Sequence, residues 1–142
     1  MEMKSQSYRD LIAWQKALAL VTDVYRLTEH FPSHELYGLT SQIRRAAVSV
    51  VSNIAEGQAR NSHREFLHFL SHAKGSLVEV ETQLFVGRNL NYVGEQQTAT
   101  LLKQTDEVAR LTEADRRSGS PRFRVDEIFA VKGCRAASCC RR

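Results

Sequence analysis

The sequence predicts an all-α protein: an antiparallel up-down four-helix bundle followed by an irregular C-terminal tail. Three observations carry that expectation. The 142 residues include only two prolines, Pro32 and Pro121, and seven glycines, so few breakers interrupt long helices. Apolar residues recur at helical spacing in four separate segments. The run from Phe31 to Gly57 opens with helix-entry chemistry at Phe31–Glu35 and holds a helix rich in small residues and sparing in charge. Such a helix presses against neighbours on more than one side, which suits a bundle that also assembles with copies of itself.

The first helix is expected from about Asp10 to His30. Turning about 100° per residue, it places Trp14, Ala17, Leu18, Val21, Val24, Tyr25 and Thr28 on one stripe, read as the core face. Ile12, Leu20 and Leu27 fall outside that stripe and leave apolar surface on a second side. Pro32 breaks the helix, and Phe31 before it is placed to cover the bundle end.

The second helix is expected from about Glu35 to Glu56. Leu39, Ile43, Ala46, Ala47, Val50 and Ile54 form its core stripe, widened by Val48, Val51 and Ala55. Gly57 is read as the residue that ends it in the left-handed conformation. Asn53 sits at the core edge, where a buried amide needs a hydrogen-bond partner.

The third helix opens with Ser62-His63-Arg64-Glu65, the spacing of a capping box, and runs to about Asn89. Phe66, Phe69, Leu70, Ala73, Leu77, Val80 and Leu84 share one face. Gly75 and Ser76 in mid-helix are read as a sign of close approach by another helix, since a glycine there costs about 1 kcal/mol against alanine. Trp14, Tyr25, Phe66 and Phe69 are expected to supply much of the core.

Asn91 and Gly94 mark a turn, with Tyr92 and Val93 over the bundle end. The fourth helix begins near Glu95 with a weaker stripe: Leu101, Leu102, Thr105, Val108, Ala109 and Thr112. That pattern fails after Leu111, and Ser118 to Pro121 has linker composition. Residues 1–112 are therefore expected to form the bundle. Residues 113–142 are expected to be an irregular, flexible basic tail, in which the short apolar Val125 to Val131 reads as either a strand or a stub of helix.

Charge divides the same way. Residues 1–120 carry equal numbers of basic and acidic side chains. The whole net charge of +4 comes from Arg122, Arg124, Lys132, Arg135, Arg141 and Arg142 against Asp126 and Glu127. The pI of about 9.2 thus describes the tail and is no argument for nucleic-acid binding by the body. Cys134, Cys139 and Cys140 also lie in the tail, where an odd cluster is no disulfide framework and adjacent cysteines make poor zinc spacing. No apolar run of about 18 residues exists, and Met1 to Asp10 has no secretory h-region, so a cytoplasmic protein away from membranes is expected.

No glycine-rich phosphate loop, catalytic triad or paired acid/base constellation occurs. The expected protein is not an enzyme and has no cofactor, metal or small-molecule substrate. Glu65-x-x-His68, with His72 a turn later, has the spacing of di-iron bundle ligands. Only one copy is present, on the face opposite Phe66, so it reads as a polar stripe. Arg44 and Arg45 point about 100° apart. Pairing with Glu35, Glu79 or Glu81 is the favoured reading, and phosphate contact by Arg45 the alternative. Glu56 is expected to pair with Arg60 or with Arg45 of a neighbouring copy. An assembly of copies can gather Arg44, Arg45, Arg60 and Arg64 on one face as contacts for RNA or a partner. Ile12, Leu20, Leu27, Val48, Ser52 and Ala55 are the expected subunit interface. Phe123 offers the tail a stacking surface, though a tail without selected function is the favoured reading there.

The stretch from Leu11 to Leu84 closely resembles a known bacterial four-helix-bundle family, encoded by intervening sequences in 23S ribosomal RNA genes. Trp14-Gln15-Lys16-Ala17, Phe31-Pro32, Glu35-x-Tyr37 to Ala46, and Ser49-x-x-Ser52 to Gly57 carry the likeness. So do Gly75-Ser76-Leu77-x-Glu79, Gln83-Leu84 and Leu90 to Val93. The resemblance implies a small cytosolic bundle that forms a ring-like homopentamer. It also implies kinship with an accessory factor of the reverse transcriptase in diversity-generating retroelements, which binds RNA and its enzyme through a positive surface. The family brings no catalytic residues. Thr112 to Pro121 departs from its usual fourth-helix end, which puts anything docking there in question.

Overall fold

The computed structural model describes residues 7–123. Four helices account for most of that span: α1, Ile12–Thr28; α2, Leu39–Ala59; α3, His63–Asn89; and α4, Glu95–Ser118. Each packs on its chain neighbours and α4 closes back on α1. Contacts along the pairs give their sense. Asp23 meets Gln104 and Lys16 meets Glu107, so α1 and α4 run oppositely. Ser49 meets Ser76 and Gly57 meets Phe66, so α2 and α3 do too.

The core faces of α2 and α3 follow the apolar periodicity. Ile43, Ala46, Ala47, Val50 and Ile54 are buried against Phe66, Leu70, Ala73, Leu77, Val80 and Leu84. Phe31 and Val93 are buried over one end. The Phe31 and Tyr92 rings lie 5.7 Å apart there.

The face of α1 is a correction. Its core residues are Ala13, Ala17, Leu20, Val24 and Leu27, with Leu20 wholly buried, while Leu18 and Tyr25 are 43% and 41% exposed. The helix carries two apolar stripes about 100° apart, and the one through Leu20 and Leu27 faces inward. Tyr25 therefore supplies little core burial.

Two glycines do other jobs than the sequence suggests. Gly57 does not end α2, which continues to Ala59 and closes with Arg60 in extended conformation. A Cβ on Gly57 would stand 2.9 Å from that of Phe69, so the glycine lets α3 approach. Left-handed backbone occurs instead at Gly119, φ +68°, after α4, where a side chain would also strike His63.

Helix starts differ as well. α2 begins at Leu39 after a 3₁₀ turn at Ser33–Glu35, and the Glu35 carboxylate accepts the Leu39 N–H at 2.9 Å, standing in for the missing cap of Gly38. The box at Ser62 does not form, since Ser62 makes no side-chain cap bond.

The fourth helix passes the boundary drawn at residue 112. Thr98, Thr105 and Thr112 are buried and return their hydroxyls to carbonyls of their own helix at 2.8–3.0 Å. Threonine satisfied this way packs much like valine. Asp115 is buried one turn later. Residues 119–123 then recross the start of α1: Ile12 N–H donates to Arg122 O at 3.1 Å, and Leu11 bridges Phe123. Phe123 packs against the core and is no free stacking surface. The three cysteines, Val125 to Val131 and the tail's remaining basic residues lie outside the described residues.

Candidate assembly surface and arginine positions

Small residues bring α2 and α3 together. Ser49 Oγ and Ser76 Oγ are 2.9 Å apart. Asn53 donates to Ser49 O at 2.7 Å and to Ser49 Oγ at 3.1 Å, so its partner lies in its own helix and Ser49 relays to α3. Ser76 marks the expected close approach. Gly75 does not: nothing lies within 4 Å of where its Cβ would be.

Six residues were expected at a subunit interface, and the structure separates them. Leu20 and Leu27 belong to the protomer's own core and present nothing to a neighbour. Val48 and Ser52 are exposed, and Ile12 and Ala55 are half-buried. Apolar side chains are exposed on both helices of the α1/α2 seam. Leu18, Tyr25 and Val48 are about two-fifths exposed, and Trp14, Val21, Val51 and Ala55 are half-buried beside them. The side of α2 carrying Val48 is fixed by Arg44, one turn earlier, which reaches Tyr25 and Thr28 of α1.

A second apolar flank lies on the other side of the bundle. Val78 is 55% and Phe85 40% exposed. Both share the side of α3 with Lys74, whose ammonium lies 4.0 Å from Glu113 of α4. Sequence periodicity missed both residues because they lie outside a well-formed core stripe.

The four arginines do not form one patch. Arg44 and Arg60 lie near opposite ends of α2, about 24 Å apart along its axis. Arg44 is held within the protomer: its Nε donates to Thr28 Oγ1 at 2.7 Å, and its guanidinium sits 4.6 Å from the Tyr25 ring centre. None of Glu35, Glu79 or Glu81 is its partner. Arg60 pairs with Glu56 at 2.7 Å and lies 5.1 Å over Phe69. Arg45 and Arg64 are exposed and make no ion pair among the described residues.

Two carboxylates are perturbed, both near the end of α4. Hydrogen bonding from Arg116, with further help from Arg117, Arg116 charge and Lys74 charge against opposing burial, holds Glu113 down at about 2. Burial pushes Asp115 up to about 6, against the Arg122 N–H and charge. At the opposite end, burial and the neighbouring Glu35 raise the Tyr92 phenol. Glu113 lines an open groove along α4 with Lys74, Lys103, Asp106, Glu107 and Arg110, where its own partners are Arg116, Arg117 and Lys74. Among the described residues no group of three or more His, Cys, Asp or Glu is placed to hold a metal, and Glu65 does not join His68 and His72 in such a group. Nor is any described helix long and apolar enough to cross a membrane.

The described residues thus form a four-helix bundle with apolar side chains exposed on two of its sides. The sequence matches the 23S rRNA-intervening sequence protein family over residues 9–114, and the chain belongs to that family. A solved structure of similar fold is a protein of unknown function from the S23 ribosomal protein family of Bacteroides thetaiotaomicron. It is 19% identical, with a TM-score of 0.68, and the match covers 75% of this chain and 99% of that one. No relative matches among curated proteins.

Proposed function

We propose that the chain is a non-enzymatic, cytoplasmic assembly module. It associates with copies of itself, in the ring of five that the family resemblance implies, and the ring binds RNA or an RNA-handling protein. The observation that carries this reading is the pair of exposed apolar flanks, one on the α1/α2 seam and one on α3 beside α4. A cyclic ring needs two different surfaces, each meeting the other on the next copy. Flanks on opposite sides of one bundle supply such a pair. Val48, Ala55 and Ser52 remain interface residues in this reading, with Ile12 at the rim.

The RNA half of the reading draws on the family description and on Arg45 and Arg64, exposed and unpaired among the described residues. Repeated around a ring, single arginines become an array, and charge balance in each body does not oppose local phosphate contact. Arg44 and Arg60 serve packing first.

The test is titration of a 23S rRNA fragment with full-length protein and with Arg45→Ala/Arg64→Ala at two salt concentrations. The reading expects salt-sensitive binding, and a salt slope lowered by about 1 for each phosphate contact removed. Absence of binding by an intact oligomer would leave a purely structural protein-interaction module without RNA affinity.

A further inference from the structure

His68 and His72 are the one histidine pair on a single helix face whose ring nitrogens meet. His72 Nε2 lies 3.0 Å from His68 Nε2. The ring centres are 4.4 Å apart and the planes nearly perpendicular, at 89°. Their separation of four residues places them one turn apart on α3. Both side chains are exposed, and neither makes another hydrogen bond among the described residues.

The distance is the one a shared ion requires. Two imidazole nitrogens each about 2.0–2.1 Å from a metal, and about 90–110° apart at it, lie about 2.9–3.4 Å from each other. The two nitrogens are therefore already at the spacing of a chelate, and a turn of the exposed rings about their side-chain torsions brings both lone pairs onto one ion.

Access is open. Ser71, between the two, turns its hydroxyl back to Leu67 O at 3.1 Å. Gly75, three residues beyond His72, has no side chain and nothing within 4 Å of where one would begin. Glu56, on the neighbouring helix, is engaged by Arg60. With no third protein donor assembled among the described residues, water fills the remaining positions.

We infer that His68 and His72 form a surface chelate for a late first-row divalent transition ion, bound through both Nε2 atoms. Imidazole pairs favour copper(II) over nickel(II) and zinc(II), and disfavour magnesium and calcium, which take oxygen ligands. In the metal-free pair one Nε2–H donates to the other nitrogen. Binding moves that proton to Nδ1 of the same ring, so both Nε2 lone pairs face the ion and the protein loses no proton. The site stands on this pair alone and is independent of the assembly reading.

The test uses full-length protein carrying Cys134→Ser, Cys139→Ser and Cys140→Ser, which removes tail thiolates as ligands, titrated calorimetrically with nickel(II) chloride. His68→Ala and His72→Ala are compared with it, and His30→Ala, an exposed histidine elsewhere, is the control. Circular dichroism checks that each variant stays helical. The expected result is one equivalent bound, affinity at least tenfold lower in either of the first two variants, and no change in the control. No binding up to ~1 mM nickel, affinity within twofold of the parent in His68→Ala or His72→Ala, or an equal loss in His30→Ala overturns the assignment.

Discussion

The Asp115 carboxylate accepts the backbone N–H of Arg122 at 3.1 Å from a position only 3% exposed. That bond ties the chain beyond α4 back across the start of α1, where Arg122 O receives Ile12 N–H. The clasp extends the bundle past residue 112 and closes its α1/α4 edge.

Asp115 sets a pH dependence. Burial raises it from 3.8 to about 6, so as pH falls the folded protein takes up this proton before the unfolded chain does. Stability from this group rises between about pH 6 and pH 4, and its ionised form costs stability above pH 6. Asp115→Asn keeps an acceptor for Arg122 and removes the ionisation. It is expected to raise stability at pH 8 by about 1–2 kcal/mol and to flatten that window. Urea unfolding at several pH values reads both effects, and an unchanged slope would contradict the assignment.

Glu113 works in the opposite sense. With Arg116 hydrogen bonding as the main cause, its value falls from 4.5 to about 2. Its contribution is complete above pH 4.5 and is lost as pH falls through about 2. Glu113→Gln is expected to weaken the acid limb below pH 4.5 while leaving in place the gain from Asp115 as pH falls from 6 to 4. Acid titrations of the two variants separate the groups.

Gly57 and Gly75 make a matched pair with opposite expectations. A Cβ at Gly57 collides with Phe69 at 2.9 Å, so Gly57→Ala is expected to cost about 1–3 kcal/mol by forcing α2 and α3 apart. Gly75 meets nothing, so Gly75→Ala is expected to add about 0.5–1 kcal/mol from helix propensity alone. Chemical denaturation of each variant beside wild type reads the two changes. A stabilised Gly57→Ala would refute close packing there.

Removing Arg44 tests the α1/α2 seam from inside. Arg44→Ala loses the Thr28 hydrogen bond and the stack on Tyr25, worth together about 1–2 kcal/mol. Arg44→Lys keeps the charge but not the planar fork, and is expected to recover less than half of the loss. Full recovery by lysine would mean that charge alone matters at this position.

Much of this was legible beforehand, for identifiable reasons. The core faces of α2 and α3 are written in unambiguous 3.6-residue periodicity, and Phe31 before Pro32 marks the covered end. α1 misled because it has two apolar stripes, and no rule within the helix tells whether Leu20 or Leu18 faces inward. Gly57 misled because left-handed backbone and close approach both call for glycine. The end of α4 faded because its core positions are Thr105, Thr112 and Asp115, polar residues satisfied by local bonds. Arg44 and Arg45 were correctly separated by angle, but Arg44's partner is an aromatic face and a hydroxyl, which charge pairing does not anticipate. Val78 and Phe85 gave no signal, since exposure beside a core stripe depends on where the neighbouring helix stops.

Assembly through the α1/α2 flank is the central claim, and the light-scattering mass of wild type beside Val48→Asp tests it most directly. Val48 is 39% exposed, so the substitution leaves the protomer folded while placing a charge in the flank. The account predicts a wild-type mass near five copies of 16.1 kDa, about 80 kDa, and a Val48→Asp mass of a single protomer. A wild type already at 16.1 kDa, or a variant that keeps the wild-type mass, would contradict it.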